Sequence, residues 1–355
     1  ESAFIIEQWI SIKNLIKASI QVFKTISIFN KCSDYKNLKL SYLLKREKLK
    51  YINDLLFNLR FWLYKPAIKN WSINCKSLIC IDHYENMVFE HTLISAVRDL
   101  KIKKKKIYGY HHTLSSKEFT GWQSLKEEWQ SKFKPDLIIS SGVISSNFLI
   151  NQGIPKNKIV EGPALRYDNL LNNTGDYLEK DKNKILFPLS QIKDSSLEMI
   201  NKILILSKNL SDTNYELIIK PHPVLNIKNI LKSENINKLP ENVKVFDESV
   251  DKLLSKCLFS VFMATGAAYN SVLNNCISFT LKSELNLADN YLDIFKENHK
   301  YLNSHSLESL TKELINLSNN TNKLEDYRVE FMKLKKNIIN GLNKVNEERL
   351  KTFII

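Results

Sequence analysis

The chain begins with apolar residues at helical spacing. Ile5, Trp9 and Ile12, then Leu15 and Ile16 three and four positions on, follow a helical period, and the pattern predicts helices across residues 1–70. From residue 77 the texture changes to short apolar runs at 78–81, 107–110, 137–140 and 159–160, separated by helical stretches. Strands alternating with helices predict βαβ units and a parallel sheet. Residues 172–183 are charged, carry little apolar content and read as a linker. The alternation then restarts at 185–189, 217–219, 243–246, 258–263 and 277–281, and the amphipathic, Lys/Glu-rich stretch 307–351 predicts terminal helices.

The expected fold class is therefore α/β: two Rossmann-like, doubly wound domains facing a cleft, with helical segments at both ends. A chain of 355 residues exceeds the size at which single cores stop growing. The expected division is 1–175, a basic helical lead-in and a first Rossmann-like domain, and 176–355, a second Rossmann-like domain with C-terminal helices. In open α/β sheets ligands bind beyond the carboxyl ends of the strands, so function should rest on residues that follow strands.

Among those strand ends, residues 215–223 (Tyr-Glu-Leu-Ile-Ile-Lys-Pro-His-Pro) are the most informative. The β-branched run stops at Lys220, and Pro221 and Pro223 forbid helix around His222, which places an imidazole in a crevice or, more simply, caps a strand in a stiff turn. After the run 258–263 come Ala264, Thr265, Gly266, Ala267 and Ala268. Small residues there let a backbone approach a ligand, and a helix starting near Ala267 would offer amides to phosphate; tight helix-on-sheet packing wants the same residues. Ser190 and Gln191 follow the first strand of the second half. The chain has neither G-x-G-x-x-G nor G-x-x-x-x-G-K-[ST], which argues against a dinucleotide or a P-loop site. In the first half, Glu85 and Glu90 follow one strand, His111 and His112 the next, and Glu161 a later one. Carboxylate and imidazole from neighbouring strands suit general acid/base chemistry on a hydroxyl nucleophile, and capping of strand ends would use the same residues.

Composition narrows the classes. The net charge is +14, and residues 1–70 hold thirteen Lys/Arg against five Asp/Glu, a difference of +8. Such charge favours polyanions, although an AT-rich genome that prefers Lys, Asn and Ile codons yields the same composition. No RNP-like aromatic motif or zinc-knuckle spacing supports nucleic acid as a partner. Aromatics interleaved with Arg60, Lys65 and Lys69 in residues 55–71 suit contact with an anionic membrane, and equally an ordinary core with a basic outer face. No apolar run approaches the roughly 18 residues that span a bilayer, so the expected compartment is the cytoplasm, with a peripheral position at the inner face of the membrane allowed. Five cysteines (Cys32, Cys75, Cys80, Cys257, Cys276) without a C-x-x-C pair, and two adjacent histidines without further ligands, predict no disulfide framework, no metal and no cofactor. Because the chain opens at Glu1, a fragment of a longer polypeptide is expected.

Taken together, these residues resemble the GT-B glycosyltransferases of bacterial surface polysaccharide synthesis, in particular those using CMP-activated Kdo or sialic-type nonulosonates. The resemblance rests on Lys220-Pro221-His222-Pro223, similar to that group's His-Pro motif, and on Ala264-Thr265-Gly266-Ala267, which sits where its Ser/Thr-rich motif follows. Tyr84 through Glu90 followed by Gly109-Tyr110-His111-His112 also looks like a paired signature of uncharacterised surface-carbohydrate proteins. The resemblance implies that Ser190, Gln191, Lys220, His222, Pro223, Thr265, Gly266 and Ala267 hold a CMP-sugar donor. It implies a catalytic base among Glu85, His112 and Glu90, with His111 and Glu161 beside a glycan or lipid-linked acceptor, in a metal-independent reaction. The motif reads Thr-Gly where the group has two hydroxyl residues, so the sugar is left open. Residues 161–168 are loosely similar to the Gly-x-Pro-Arg-x-Asp turn of teichoic-acid glycerophosphotransferases, which makes a CDP-alcohol transferase one alternative; a non-catalytic GT-B-like scaffold of polysaccharide assembly is another.

Overall fold

The computed structural model describes residues 6–29, 40–171 and 180–354. Ile5, Cys32 and the expected division at 175/176 lie outside the described residues, as does most of the expected linker.

The amino-terminal pattern folds as three helices, α1 (Ile12–Ile28), α2 (Ser41–Asn53) and α3 (Leu55–Trp71). Ser11 caps α1 by accepting from the Asn14 amide at 3.3 Å. The first sheet then alternates with helices: β1 (Ser77–His83), α4 (Val88–Arg98), β2 (Lys104–His111), β3 (Leu137–Ser140), α5 (Val143–Asn151) and β4 (Ile159–Glu161). Its four strands are all parallel and lie in the order β1-β2-β3-β4. The lysine-rich stretch 103–106 runs into the start of β2, where Lys104 and Lys106 sit at the sheet's margin before the buried stretch from Ile107.

After the short helix α6 (Asp168–Leu171), the second sheet is built by β5 (Asp181–Pro188), α7 (Lys193–Asn209), β6 (Glu216–Lys220), α8 (Ile227–Ser233) and β7 (Val243–Val245). It continues through α9 (Val250–Leu254), β8 (Cys257–Phe262), α10 (Ala267–Leu273), β9 (Ile277–Leu281) and β10 (Ser304–His305). All pairings are parallel, in the order β10-β9-β8-β5-β6-β7. Counted from β5, this is the doubly wound arrangement 3-2-1-4-5-6 read from the other edge, with its order reversing between β5 and β8. β8 is buried along its whole length, as a central strand covered on both faces must be. β10 has only two residues, too few to show a hydropathy pattern.

The chain ends with α11 (Leu307–Asn319), α12 (Thr321–Gly341) and α13 (Glu347–Leu350). α12 carries the chain back to the first sheet: the Asn343 amide donates to Ser141 O at 2.9 Å, and Asn343 O accepts from the Ala164 amide at 2.8 Å. The largest apolar cluster accordingly runs through both halves, from Ile138 and Phe148 to Phe187, Phe259 and Phe331.

That return depends on Gly142. Its φ is +135°, and a Cβ there would lie 2.6 Å from Gly341 O and 2.9 Å from the Asn343 amide. We expect Gly142→Ala to destabilise the protein by about 3 kcal/mol, through backbone strain and overlap together. A urea midpoint equal to wild type would show that the return adjusts freely.

Candidate functional site

The order reversal between β5 and β8 sends their following loops apart and opens a crevice at their carboxyl ends. A cleft of about 890 Å³ lies there, lined by residues of both halves. Ser190 and Gln191 follow β5, Lys220 ends β6 with His222 and Pro223 just beyond it, and Thr265, Gly266 and Ala267 follow β8; all line it. Glu85 and His112 of the first half line it as well.

Each side chain is held differently. Lys220 is nearly buried and pairs with Asp247 at 2.9 Å. Burial, then the neighbouring Lys220 charge, lowers the His222 pKa. Its Nδ1 accepts from the Val224 amide at 3.4 Å, so the neutral ring carries its proton on Nε2 and offers a donor rather than a cation. Ala264 adopts φ +49°, a left-handed conformation that costs a non-glycine residue about 1 kcal/mol, and its amide donates to Asp289 O at 2.9 Å. The Ala267 amide is already turned to Thr265 Oγ1 at 3.4 Å, and α10 has only seven residues. The helix terminus therefore supplies less positive potential than the sequence suggested.

Arg166 supplies the missing charge. It sits in the turn after β4, lines the cleft and makes no ion pair with any described residue. A Cβ placed on Gly266 would lie 3.8 Å from Arg166 Nη2 and 3.4 Å from Thr113 Oγ1, so the guanidinium and the turn after β8 face each other closely. Sequence reasoning noted Arg166 only within a resemblance to another family's turn. Asn270 and Tyr291, which also line the cleft, gave no local signal.

On the first-half wall, His112 Nε2 lies 3.7 Å from Glu85 Oε1. Burial, then the Arg166 and His83 charges, push the His112 pKa down to about 4, so the ring is a neutral acceptor at pH 7. Tyr291 reaches this wall from the second half, its pKa raised chiefly by burial and also by Glu85.

Three expected site residues lie elsewhere. Glu90 is buried, and its carboxylate folds back to accept from the amides of Glu85 and Asn86 at 3.0 Å. Burial outweighs those donors and pushes its pKa up to about 8. Glu90 thus holds the turn that presents Glu85, instead of facing the cleft. His111 is wholly buried, with Nδ1 2.6 Å from Ser145 Oγ and the ring packed against Trp122 and Phe148. Consecutive residues at a strand end point to opposite sides, so only one of the two histidines can reach the cleft. Glu161 ends β4, the far edge of the first sheet, and is exposed away from the cleft.

No protein-family model matches this chain, and none of the curated proteins matches its sequence. Solved structures do match its fold. The chain is similar to the UDP-GlcNAc 2-epimerase of Neisseria meningitidis bound to UDP-GlcNAc, at 13% identity over 84% of this chain and 81% of that one, TM-score 0.54. A putative UDP-N-acetylglucosamine 2-epimerase of Listeria monocytogenes matches at 13% identity over 82% and 75%, TM-score 0.51. A mutant of S. aureus TarM, solved with fondaparinux, α-GlcNAc-glycerol and UDP, matches at 14% identity over 83% of this chain but 58% of its own, TM-score 0.50. The fold is GT-B.

The His112–Arg166 coupling can be measured. We expect Arg166→Ala to raise the His112 pKa from about 4 toward, but not to, its ordinary value, since burial remains. Stability linked to this ring is complete above its ordinary pKa and is lost as pH falls toward about 4. An NMR titration of the imidazole giving the same pKa in both proteins would remove Arg166 from this wall.

Proposed function

We propose that the chain is a glycosyltransferase that moves a sugar from a CMP-activated donor to a hydroxyl of a glycan or lipid-linked acceptor. The observation that carries this reading is the pairing, in one cleft, of a neutral imidazole beside a carboxylate with an uncompensated guanidinium opposite. His112 takes the proton of the acceptor hydroxyl as its oxygen bonds to the donor's anomeric carbon, and Glu85 stabilises the imidazolium that forms. The bond from that carbon to the phosphate oxygen breaks, and the CMP dianion departs toward Arg166, Lys220 and the His222 Nε2–H donor.

Charge favours a monophosphate over a diphosphate. Lys220 is neutralised by Asp247, and Glu248 by Lys252 and Lys256, which leaves Arg166 as the unpaired lining cation among the described residues. A CMP-sugar brings one phosphate charge to this site, whereas a UDP-sugar brings two. A cytidine monophosphate leaving group suits Kdo or another nonulosonate as the sugar, in line with the His-Pro resemblance. A second reading, an enzyme acting on a UDP-sugar, draws on the Neisseria meningitidis epimerase of similar fold, which was solved bound to UDP-GlcNAc.

A thermal-shift and calorimetric titration with CMP, CDP, UMP, UDP and GDP separates them. We expect CMP to stabilise selectively, by about 2.7 kcal/mol at a hundredfold excess over Kd. Arg166→Ala should weaken CMP by about tenfold to a hundredfold. Glu85→Gln should leave CMP affinity intact and lower turnover. Preference for UDP would establish the second reading; no response to any nucleotide would leave a scaffold.

A further inference from the structure

The three amino-terminal helices present an apolar surface that the fold does not use. Fourteen of the 34 exposed large apolar side chains among the described residues lie between residues 12 and 73. α1 packs on α3 through Ala18, while Ile12, Ile16, Ile20 and Phe23 point to solvent, Ile12 at 80% and Phe23 at 65% exposure. At about 3.6 residues per turn these four fall within an arc of about 80°, and the row runs roughly 16 Å along the helix. Lys13, Lys17 and Lys24 occupy the adjoining arc, all are exposed, and α1 contains no acidic residue. The same region holds the concentrated positive charge, +8 over residues 1–70.

We propose that this face of α1 docks on an anionic lipid surface, with the helix lying in the plane of the headgroups. An exposed apolar stripe bordered by a single row of lysines is the pattern an interfacial helix needs. The apolar side chains enter the headgroup boundary, while the lysine stems run along it and keep their ammonium groups at the phosphates. No helix among the described residues is long and apolar enough to cross a membrane, so the contact is one of lying on the surface. Charge selects this occupant: a lysine row with no acidic residue on the helix matches phosphate headgroups, and each lysine near such a surface contributes about 1 kcal/mol. The inference stands apart from the chemistry of the cleft.

The test is flotation of the full chain with vesicles of phosphatidylcholine alone and of equimolar phosphatidylcholine and phosphatidylglycerol. The full chain should float with the anionic vesicles only, and less as salt is raised. The combined Lys13→Gln, Lys17→Gln, Lys24→Gln variant should lose binding on the order of a hundredfold. Ile16→Glu with Phe23→Glu should abolish flotation and leave the melting temperature unchanged; Ile16→Ser with Phe23→Ser serves if the charged pair does not fold. Absence of flotation with anionic vesicles overturns the proposal. So does lysine-dependent binding indifferent to Ile16 and Phe23, which marks a general polyanion surface. A solution dimer split by the Ile16 and Phe23 changes also overturns it, because a second copy then covers the stripe.

Discussion

The parallel pairing of β5 with β8 is the constraint on which the cleft depends. Because β6 and β7 extend the sheet from one side of β5 and β8 to β10 from the other, the chain leaves β5 and β8 in opposite senses. The space between their carboxyl ends cannot be filled by either connecting helix. The loops after β5, β6 and β8 border one crevice as a result, although up to 75 residues of sequence separate them. The second constraint is the return of the chain after α12, whose backbone bonds to Ser141 and Ala164 bring the first sheet's strand ends over that crevice.

Within this frame Glu85 faces the cleft while the group that supports it is buried. Glu85 is half-exposed because Glu90, beneath it, satisfies the two amides of its turn. A carboxylate held there against the cost of burial is unfavourable by itself, which explains why its pKa lies near 8, and its amide bonds offset part of that cost. Ala264 shows the same economy in backbone terms. A strained φ is maintained by the Asp289 carbonyl and by the packing of β8, and it aims the small-residue turn at Arg166.

Much of the architecture was legible in the apolar runs. β3 and β9 fall on 137–140 and 277–281 as expected, because both are short and bounded by polar residues. Boundaries slipped where polar side chains sit at sheet margins, as with Lys104 to Lys106 in β2 and Asp181 in β5. Of the candidate site, the residues after β5, β6 and β8 share the cleft because strand ends and proline or glycine turns are local signals. Glu90 and His111 were misplaced because sequence does not say which way a side chain turns: Glu90 is near enough in sequence to fold back on its own turn, and His111 is one residue out of phase with His112. Arg166 was legible only as part of the turn 161–168, since its place in the cleft arises only where the turn after β4 meets the turn after β8.

Hydrogen exchange with and without CMP tests the central claim, that one nucleotide is gripped by both halves across this cleft. Slowed exchange is expected in the loops after β5, β6 and β8 and, in the same experiment, around His112 and Arg166. Protection confined to the second half, or absent from both, would contradict it.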